Sequence, residues 1–449
     1  MNFPAAFESQ VTNDPFLGKD LLNALNATPP VTIRLNPLKL TEREAADYLD
    51  ANTSVQWCRH AFYLAERPSF TLDPLFHAGC YYPQEAGSMV LDTVLTQLEL
   101  PQEPAILDLC AAPGGKSTLI ASHLNGSGLL VSNEVIQARA RILRENMTKW
   151  GYSNVVVTNN DPADFDKLSP FFDLIVIDAP CSGEGMFRKD PDSRNEWSED
   201  NVLLCAARQK RIIADVWDTV KPGGYVVYST CTFNEQENEE NVRFMLHEMQ
   251  AELVEINLNE PIQKGRQGLG YYCIPGITET EGFFIAVLQK AGADSKKQRY
   301  DIRRDLRHLN PGKDLEVLKG LAKTEDYSFY QWNDLVMALP SAVADRMQHV
   351  MANTRVVKAG TLVGELNRKG ILPHEELAVC IELNSFPERI DLSKQQALQY
   401  LHGDTFYLES NQGLKLITYR NKPLGWIKHL GNRFNNLYPK EWRIRMNIS

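Results

Sequence analysis

The chain reads as an α/β protein built around a doubly wound, mainly parallel sheet, and three observations predict this. Between residues 104 and 290, short apolar runs of strand length alternate with longer stretches of helical character, the pattern of strand–helix–strand units. A turn holding two glycines follows the first of those runs and opens into a helix, as at the ligand-binding rim of such sheets. At 449 residues the chain is too long for one core, so further domains are expected on either side.

The central elements follow in order. Residues 105–110 form the first buried strand and 129–134 the second; 155–158, 173–178 and 225–230 supply the third, fourth and fifth. Helices are expected over 135–150 and 201–220, and Lys221-Pro-Gly-Gly224 as a turn before the fifth strand. Ahead of this core, 31–36 reads as a strand and 41–52 as a helix, with Thr41 and Glu44 spaced for a capping box. The expected organisation is an N-terminal α+β extension over 1–90, a core over 91–290, and a polar linker over 291–300. A C-terminal region then runs over 301–449, with a distinct module from about 400.

Composition narrows the class. A hydrophobic fraction of 43% with 23% charged residues is that of a globular chain rather than a disordered one. No apolar run approaches the roughly 20 residues that span a bilayer. The first residues lack a basic segment followed by an apolar one, so a cytoplasmic protein without membrane contact is expected. The eight cysteines show neither C-x-x-C nor zinc-finger spacing. No metal site is expected, and each is by default a small buried hydrophobe with a free thiol. The net charge of −10 speaks against nucleic acid. Yet from Gly413 onward eight Lys/Arg face a single acid, Glu441. Such a module can contact phosphate, or simply be a solvated basic face.

Three segments can carry chemistry. The first is Cys110-Ala111-Ala112-Pro113-Gly114-Gly115-Lys116, at a strand end with a helix N-terminus behind it. Its glycines allow close approach of a ligand to backbone, and the helix offers free amides. A nucleoside-triphosphate loop would need glycine at position 110, and the dinucleotide pattern G-x-G-x-x-G is missing. Glu134 ends the second strand, where a carboxylate can hold both hydroxyls of a ribose. Asp161 follows the third and is suited to an adenine amino group. The second segment is Asp178-Ala-Pro-Cys181-Ser-Gly-Glu-Gly185, after the fourth strand; the third is Ser229-Thr-Cys231-Thr232, after the fifth. Strands four and five are neighbours in the usual order of such sheets, which would bring both thiols to the ligand-binding rim. One cysteine there would be packing; two at adjacent strand ends suit methylation at carbon 5 of cytosine. A thiolate adding to carbon 6 makes carbon 5 nucleophilic, and the thiol must afterwards be expelled. Asp178 is placed to serve cytosine N3. The residues alone do not say which thiol attacks.

These motifs, with Gln84-Glu-Ala-Gly-Ser-Met89 ahead of them, resemble the Sun/RsmF family of RNA (cytosine-5)-methyltransferases over about residues 75–290. The resemblance implies a Rossmann-like methyltransferase core that binds S-adenosylmethionine through residues 110–116, Glu134, Asp161 and Asp178. It implies Cys231 as nucleophile and Cys181 in product release, with Lys116 supporting the loop and Asp178. It also implies that residues 1–90 are an RNA-binding extension. The tail, through Pro423-Leu-Gly-Trp426 and Tyr438-Pro439, resembles the PUA-like RNA-binding module of the RsmF branch. That branch acts on small-subunit (16S) ribosomal RNA, so a monomer acting on that RNA or the small subunit is expected. Trp426 and Trp442 are expected in the core. The rivals are a transfer RNA substrate, methylation of an exocyclic amine or ribose hydroxyl, and a non-catalytic RNA-binding or ribosome assembly factor. Amine methylases carry an aromatic residue after Asp-Pro-Pro and need no second thiol; an assembly factor needs neither thiol.

Overall fold

The computed structural model describes every residue except Met1, Lys19, 293–298, Pro311, Lys313, Lys369 and Ser449. Its centre is a ten-stranded sheet. The parallel strands β1 (Ala105–Asp108), β2 (Leu129–Asn133), β3 (Val155–Thr158), β4 (Phe172–Asp178) and β5 (Val220–Thr230) lie in the order β3-β2-β1-β4-β5. Their apolar runs are explained by burial on both faces, each covered by its own hydrophobic cluster. Helices α1 (Gly115–Leu124), α2 (Gln137–Trp150), α3 (Glu199–Trp217) and α4 (Glu239–Glu248) connect or flank these strands. Ser198 caps α3 by accepting from Asn201 N–H, with Glu199 and Asp200 in the first turn; negative charge there suits the helix dipole. Gly151 ends α2 at φ 91°, a conformation that favours glycine. Five antiparallel strands extend the sheet: β6 (Phe283–Lys290) lies beside β5 with Ala251–Leu253, Gln263–Lys264 and Tyr271–Cys273 beyond it, and β7 (Val356–Ala359) lies beside β3.

The expected turn at 221–224 is instead part of β5. The strand bulges there against β4, with Gly223 at φ 78°, and Lys221 Nζ reaches Asp173 at 2.9 Å. Pairing on both sides carries the chain through the irregularity.

The N-terminal segment divides in two. Val31–Leu35 pairs with Ala61–Leu64 and with the edge strand Tyr81–Pro83; Thr53–Ser54 completes a four-stranded sheet. Helix Glu42–Leu49 carries the Thr41/Glu44 capping box. The described residues before Ala27 pack elsewhere, on the core of the central sheet. Phe7 of helix Ala5–Asn13 meets Phe187 at 5.0 Å and Trp197 at 5.7 Å between ring centroids.

β6 runs through Lys290, and most of the expected linker (293–298) lies outside the described residues. Beyond it come a five-stranded sheet over 307–373 and a four-stranded sheet built on the hairpin Gly413–Tyr419 and Lys422–His429. This last sheet shares one hydrophobic cluster with the N-terminal sheet: Ile33, Leu35 and Phe62 pack with Leu401, Ile417 and Leu424. The N-terminal sheet and the C-terminal sheet therefore close on each other, with Lys422 2.8 Å from Glu44.

Candidate active site

Asp178 closes β4 and sits opposite Ser229 of β5 in the parallel register. The loops that continue from these two strand ends carry the two thiols. Cys181 and Cys231 meet with sulfurs 3.2 Å apart, both partly exposed and unbridged. The Cys231 sulfhydryl and burial together push the Cys181 thiol well above its usual range. Asp178 is held on two sides: Lys116 Nζ lies 2.8 Å from Oδ2, and Ser229 Oγ donates to Oδ1 at 2.9 Å. The Lys116 ammonium also sits over the Phe283 ring, 4.7 Å from its centroid.

A polar lattice, not anticipated from sequence, binds the two thiol loops together. Gly185 N–H donates to Cys231 O at 2.8 Å, and Phe233 N–H to the buried Glu184 carboxylate at 2.6 Å. Asn234 Nδ2 contacts Glu184, Thr232 and Glu237 at 3.0, 2.7 and 2.8 Å. Glu237 accepts from Ser182 N–H, Ser182 Oγ and Gln209 Nε2. Glu184, Asn234 and Glu237 are almost fully buried. Burial raises the Glu237 carboxyl above its ordinary value, against the lowering effect of Ser182 and Asn234. Gly185 leaves no room for a side chain, since a Cβ would fall 2.9 Å from Cys231 O.

The loop 110–116 lies across the ends of β1 and α1. Gly114, at φ 120°, is the N-cap of α1. Cys110, Ala111, Ala112, Pro113, Gly115 and Lys116 line a pocket of about 190 Å³ that Asp178 also borders. Burial pushes the Asp108 carboxyl up to about 7, partly offset by Ser117 Oγ, which donates to Oδ2 at 2.6 Å. Its other oxygen is buried without a protein partner. Glu134 is almost buried; it accepts from Ile136 N–H at 3.0 Å and lies 3.3 Å from Arg139, whose other nitrogen donates to Ala112 O. Asp161 caps the turn after β3 and faces Arg211 at 3.8 Å. The loop, Asp178 and both thiols thus share one rim, with Glu134 and Asp161 at the two next strand ends. An orphaned carboxylate oxygen, a glycine N-cap and an acid after β2 fit a ligand with amino and ribose groups, as S-adenosylmethionine has.

The basic tail is not a uniform cationic face. Lys415 is buried against Glu388, Lys422 is paired with Glu44, and Arg420 lies on Tyr48. Trp426 is buried, its Nε1 donating to His374 O at 3.0 Å; Trp442 is half-buried beneath Lys149. Among the described residues no helix is long and apolar enough to cross a membrane, and no group of three metal-ligating side chains occurs.

Five adjacent parallel strands within a mixed sheet, a glycine loop after β1 and acids after β2 and β3 form the Rossmann-like arrangement of an S-adenosylmethionine-dependent methyltransferase. Comparison with known proteins agrees. Residues 95–289 match the family model of 16S rRNA methyltransferase RsmB/F, 3–86 the N-terminal domain of 16S rRNA methyltransferase RsmF, and 387–444 the methyltransferase RsmF PUA domain. The ribosomal RNA small subunit methyltransferase F of Citrobacter koseri is 31% identical over 98% of this chain and 96% of its own. The chain belongs to the RsmF family of ribosomal RNA small subunit methyltransferases. Among solved structures, a methyltransferase homolog protein from Pyrococcus horikoshii is 28% identical with a TM-score of 0.53, over 61% of this chain and 91% of its own. NSun6 of Pyrococcus horikoshii, solved with SFG, shares the fold with a TM-score of 0.57 at 22% identity, over 65% of this chain and 99% of its own.

Proposed function

We propose that the chain methylates carbon 5 of cytosine in small-subunit ribosomal RNA, with Cys231 as nucleophile and Cys181 as the group that assists its release. The observation that carries this reading is the 3.2 Å contact between the two sulfurs, on the loops that leave the paired strand ends at Asp178 and Ser229. Neither an exocyclic-amine methylase nor a binding factor has use for such a pair. The ribosomal substrate is supported by family membership over nearly the whole chain.

The target cytosine leaves its stack to reach the rim. Cys231 Sγ forms a bond to carbon 6, and Asp178, held in place by Lys116 and Ser229, serves N3 as electron density moves onto the ring. When bound, S-adenosylmethionine supplies an electrophilic methyl group for carbon 5. The carbon 5 proton then passes to solvent water, its electron pair re-forms the ring double bond, and the carbon 6–sulfur bond breaks with its electron pair returning to Cys231. Cys181, whose thiol keeps its proton, donates to that departing sulfur. Residues 110–116 hold the cofactor, Glu134 its ribose, Asp161 its adenine and Asp178 its reactive end.

The test is a denaturing gel of Cys181→Ala and Cys231→Ala, each expressed in cells. Cys181→Ala is expected to give a slower band that nuclease removes, a protein–RNA adduct stalled before elimination. That band in Cys231→Ala alone would exchange the two roles. No band in either, together with methyl transfer surviving in both, would sink covalent catalysis. A second expectation concerns the cofactor. Glu134→Ala removes a charged acceptor from the ribose, which weakens S-adenosylhomocysteine binding by about 10- to 100-fold. Calorimetry showing an unchanged affinity would remove Glu134 from the site.

A further inference from the structure

A second cleft, of about 620 Å³, lies where the N-terminal sheet and the C-terminal module meet. It shares no lining residue with the pocket formed by the 110–116 loop and Asp178. Its walls carry aromatic rings, Tyr48, Phe70 and Tyr81 from one module and Tyr419 from the other, with the cations Lys394 and Arg420 on the C-terminal side and the carboxylates of Asp47, Asp50 and Asp73 on the N-terminal side. Neither module forms it alone.

Arg420 is the telling residue. The strands Gly413–Tyr419 and Lys422–His429 are joined by Arg420-Asn421, both at positive φ, 51° and 61°. Such two-residue hairpin turns favour Asn-Gly and Asp-Gly, because a large side chain at the first position crowds its own backbone. Asn421 suits its position; Arg420 does not. The disfavoured residue puts its guanidinium flat against Tyr48, 3.7 Å from the ring centroid, and 5.6 Å from Tyr419. Arg67 adds a second cation over Phe70, at 5.5 Å. Stacked guanidinium and phenol planes at the mouth of a cleft are the surface on which an unpaired base stacks, while the cations meet its phosphate.

The position suits a strand that also reaches the thiols. Tyr81 lines this cleft and its neighbour Tyr82 lines the catalytic pocket. The two lie on Tyr81–Pro83, the edge strand of its sheet, and project to opposite faces. RNA running round this edge fills both sites.

We infer that the cleft between Tyr48, Phe70, Tyr419 and Arg420 is a second RNA subsite, taking one unpaired nucleotide of the substrate strand apart from the target cytosine. It rests on the chain's reading as an RNA methyltransferase, which the Cys181→Ala adduct tests separately and without reference to this cleft. The test is anisotropy with a labelled, unstructured oligoribonucleotide of about 12 nucleotides at low salt. Arg420→Asn and Tyr48→Leu are each expected to raise Kd by about 5- to 50-fold. S-adenosylhomocysteine binding should not change, and the Arg420→Asn melting point should hold or rise, since the turn is relieved. Removing bases one at a time from the RNA should reveal a position that weakens wild type but adds nothing to the Arg420→Asn defect. Kd values within twofold of wild type in both variants would overturn the inference, as would absence of saturable binding to wild type. So would a lowered melting point in Arg420→Asn with unchanged Kd, which would make the guanidinium a tie between modules.

Discussion

Alanine in place of Cys231 is expected to abolish methyl transfer, with kcat falling by about 10⁴-fold or more, as when other covalent nucleophiles are removed. Without addition to carbon 6, carbon 5 remains a poor nucleophile, and what survives is the proximity of two bound reactants. The fold should tolerate the change. The loop is fixed by groups other than the thiol: Cys231 O accepts from Gly185 N–H, and Asn234, Glu184 and Glu237 hold the chain on both sides. The measurement is tritiated methyl transfer to 16S RNA or small subunits, with melting point and S-adenosylhomocysteine affinity as controls. Activity within tenfold of wild type, in protein that folds and binds cofactor normally, would remove Cys231 as nucleophile.

The largest effect on stability is expected far from the thiols. Lys358 on β7 and Glu376 on the helix Glu375–Val379 form an ion pair at 2.7 Å, with side chains only 3% and 2% exposed. Glu376→Gln leaves the buried ammonium without its counter-charge and should destabilise by about 3–5 kcal/mol. Urea unfolding followed by tryptophan fluorescence measures this. Replacing both residues by Met should recover much of the loss. A cost below about 1 kcal/mol, the range of exposed pairs, would show that the pair is not sealed from water. The pH dependence has a definite sign. Burial raises the Glu376 carboxyl, but Lys358, His374 and the Leu362 amide outweigh it, so the folded value lies below the ordinary one. The stabilisation is complete above the ordinary carboxylate range and fades as pH falls through the depressed folded value. Wild type should therefore lose stability on acidification more steeply than Glu376→Gln.

These two sites differ in how far they could be read from sequence. Asp178, Cys181 and Cys231 stand at the ends of long apolar runs, and parallel strands buried on both faces announce themselves by such runs. Strand order then brings two distant cysteines together. β7 gives no such signal: it is four residues long, carries Lys358 at its centre, and joins a sheet whose other strands lie far upstream. The lattice around the thiols was illegible for a different reason. Asn234, Glu237 and Glu239 belong to a polar run that reads as solvated surface, and only the closure of two loops buries it. Its one sequence cue is position, directly after a strand-end cysteine and at the start of α4. The basic tail misled in the opposite sense. Charge counting cannot tell Lys415, sealed against Glu388, from exposed Lys428 and Arg433.

The closure of the N-terminal and C-terminal sheets on one cluster bears on how the protein is made. Ile33 and Leu35 are synthesised early, yet part of their packing partners, Ile417, Leu424 and Ile444, emerge only after the whole central sheet. During translation the early sheet keeps an uncovered apolar face, and contacts so far apart in sequence form late and slowly. A chain halted before the final hairpin would hold every strand of the parallel sheet and both thiols, while the cleft beside Tyr48 would have only one wall. Synthesis of the hairpin 413–429 is thus built into the formation of the RNA-facing surface, and products truncated before it would be poor competitors for substrate.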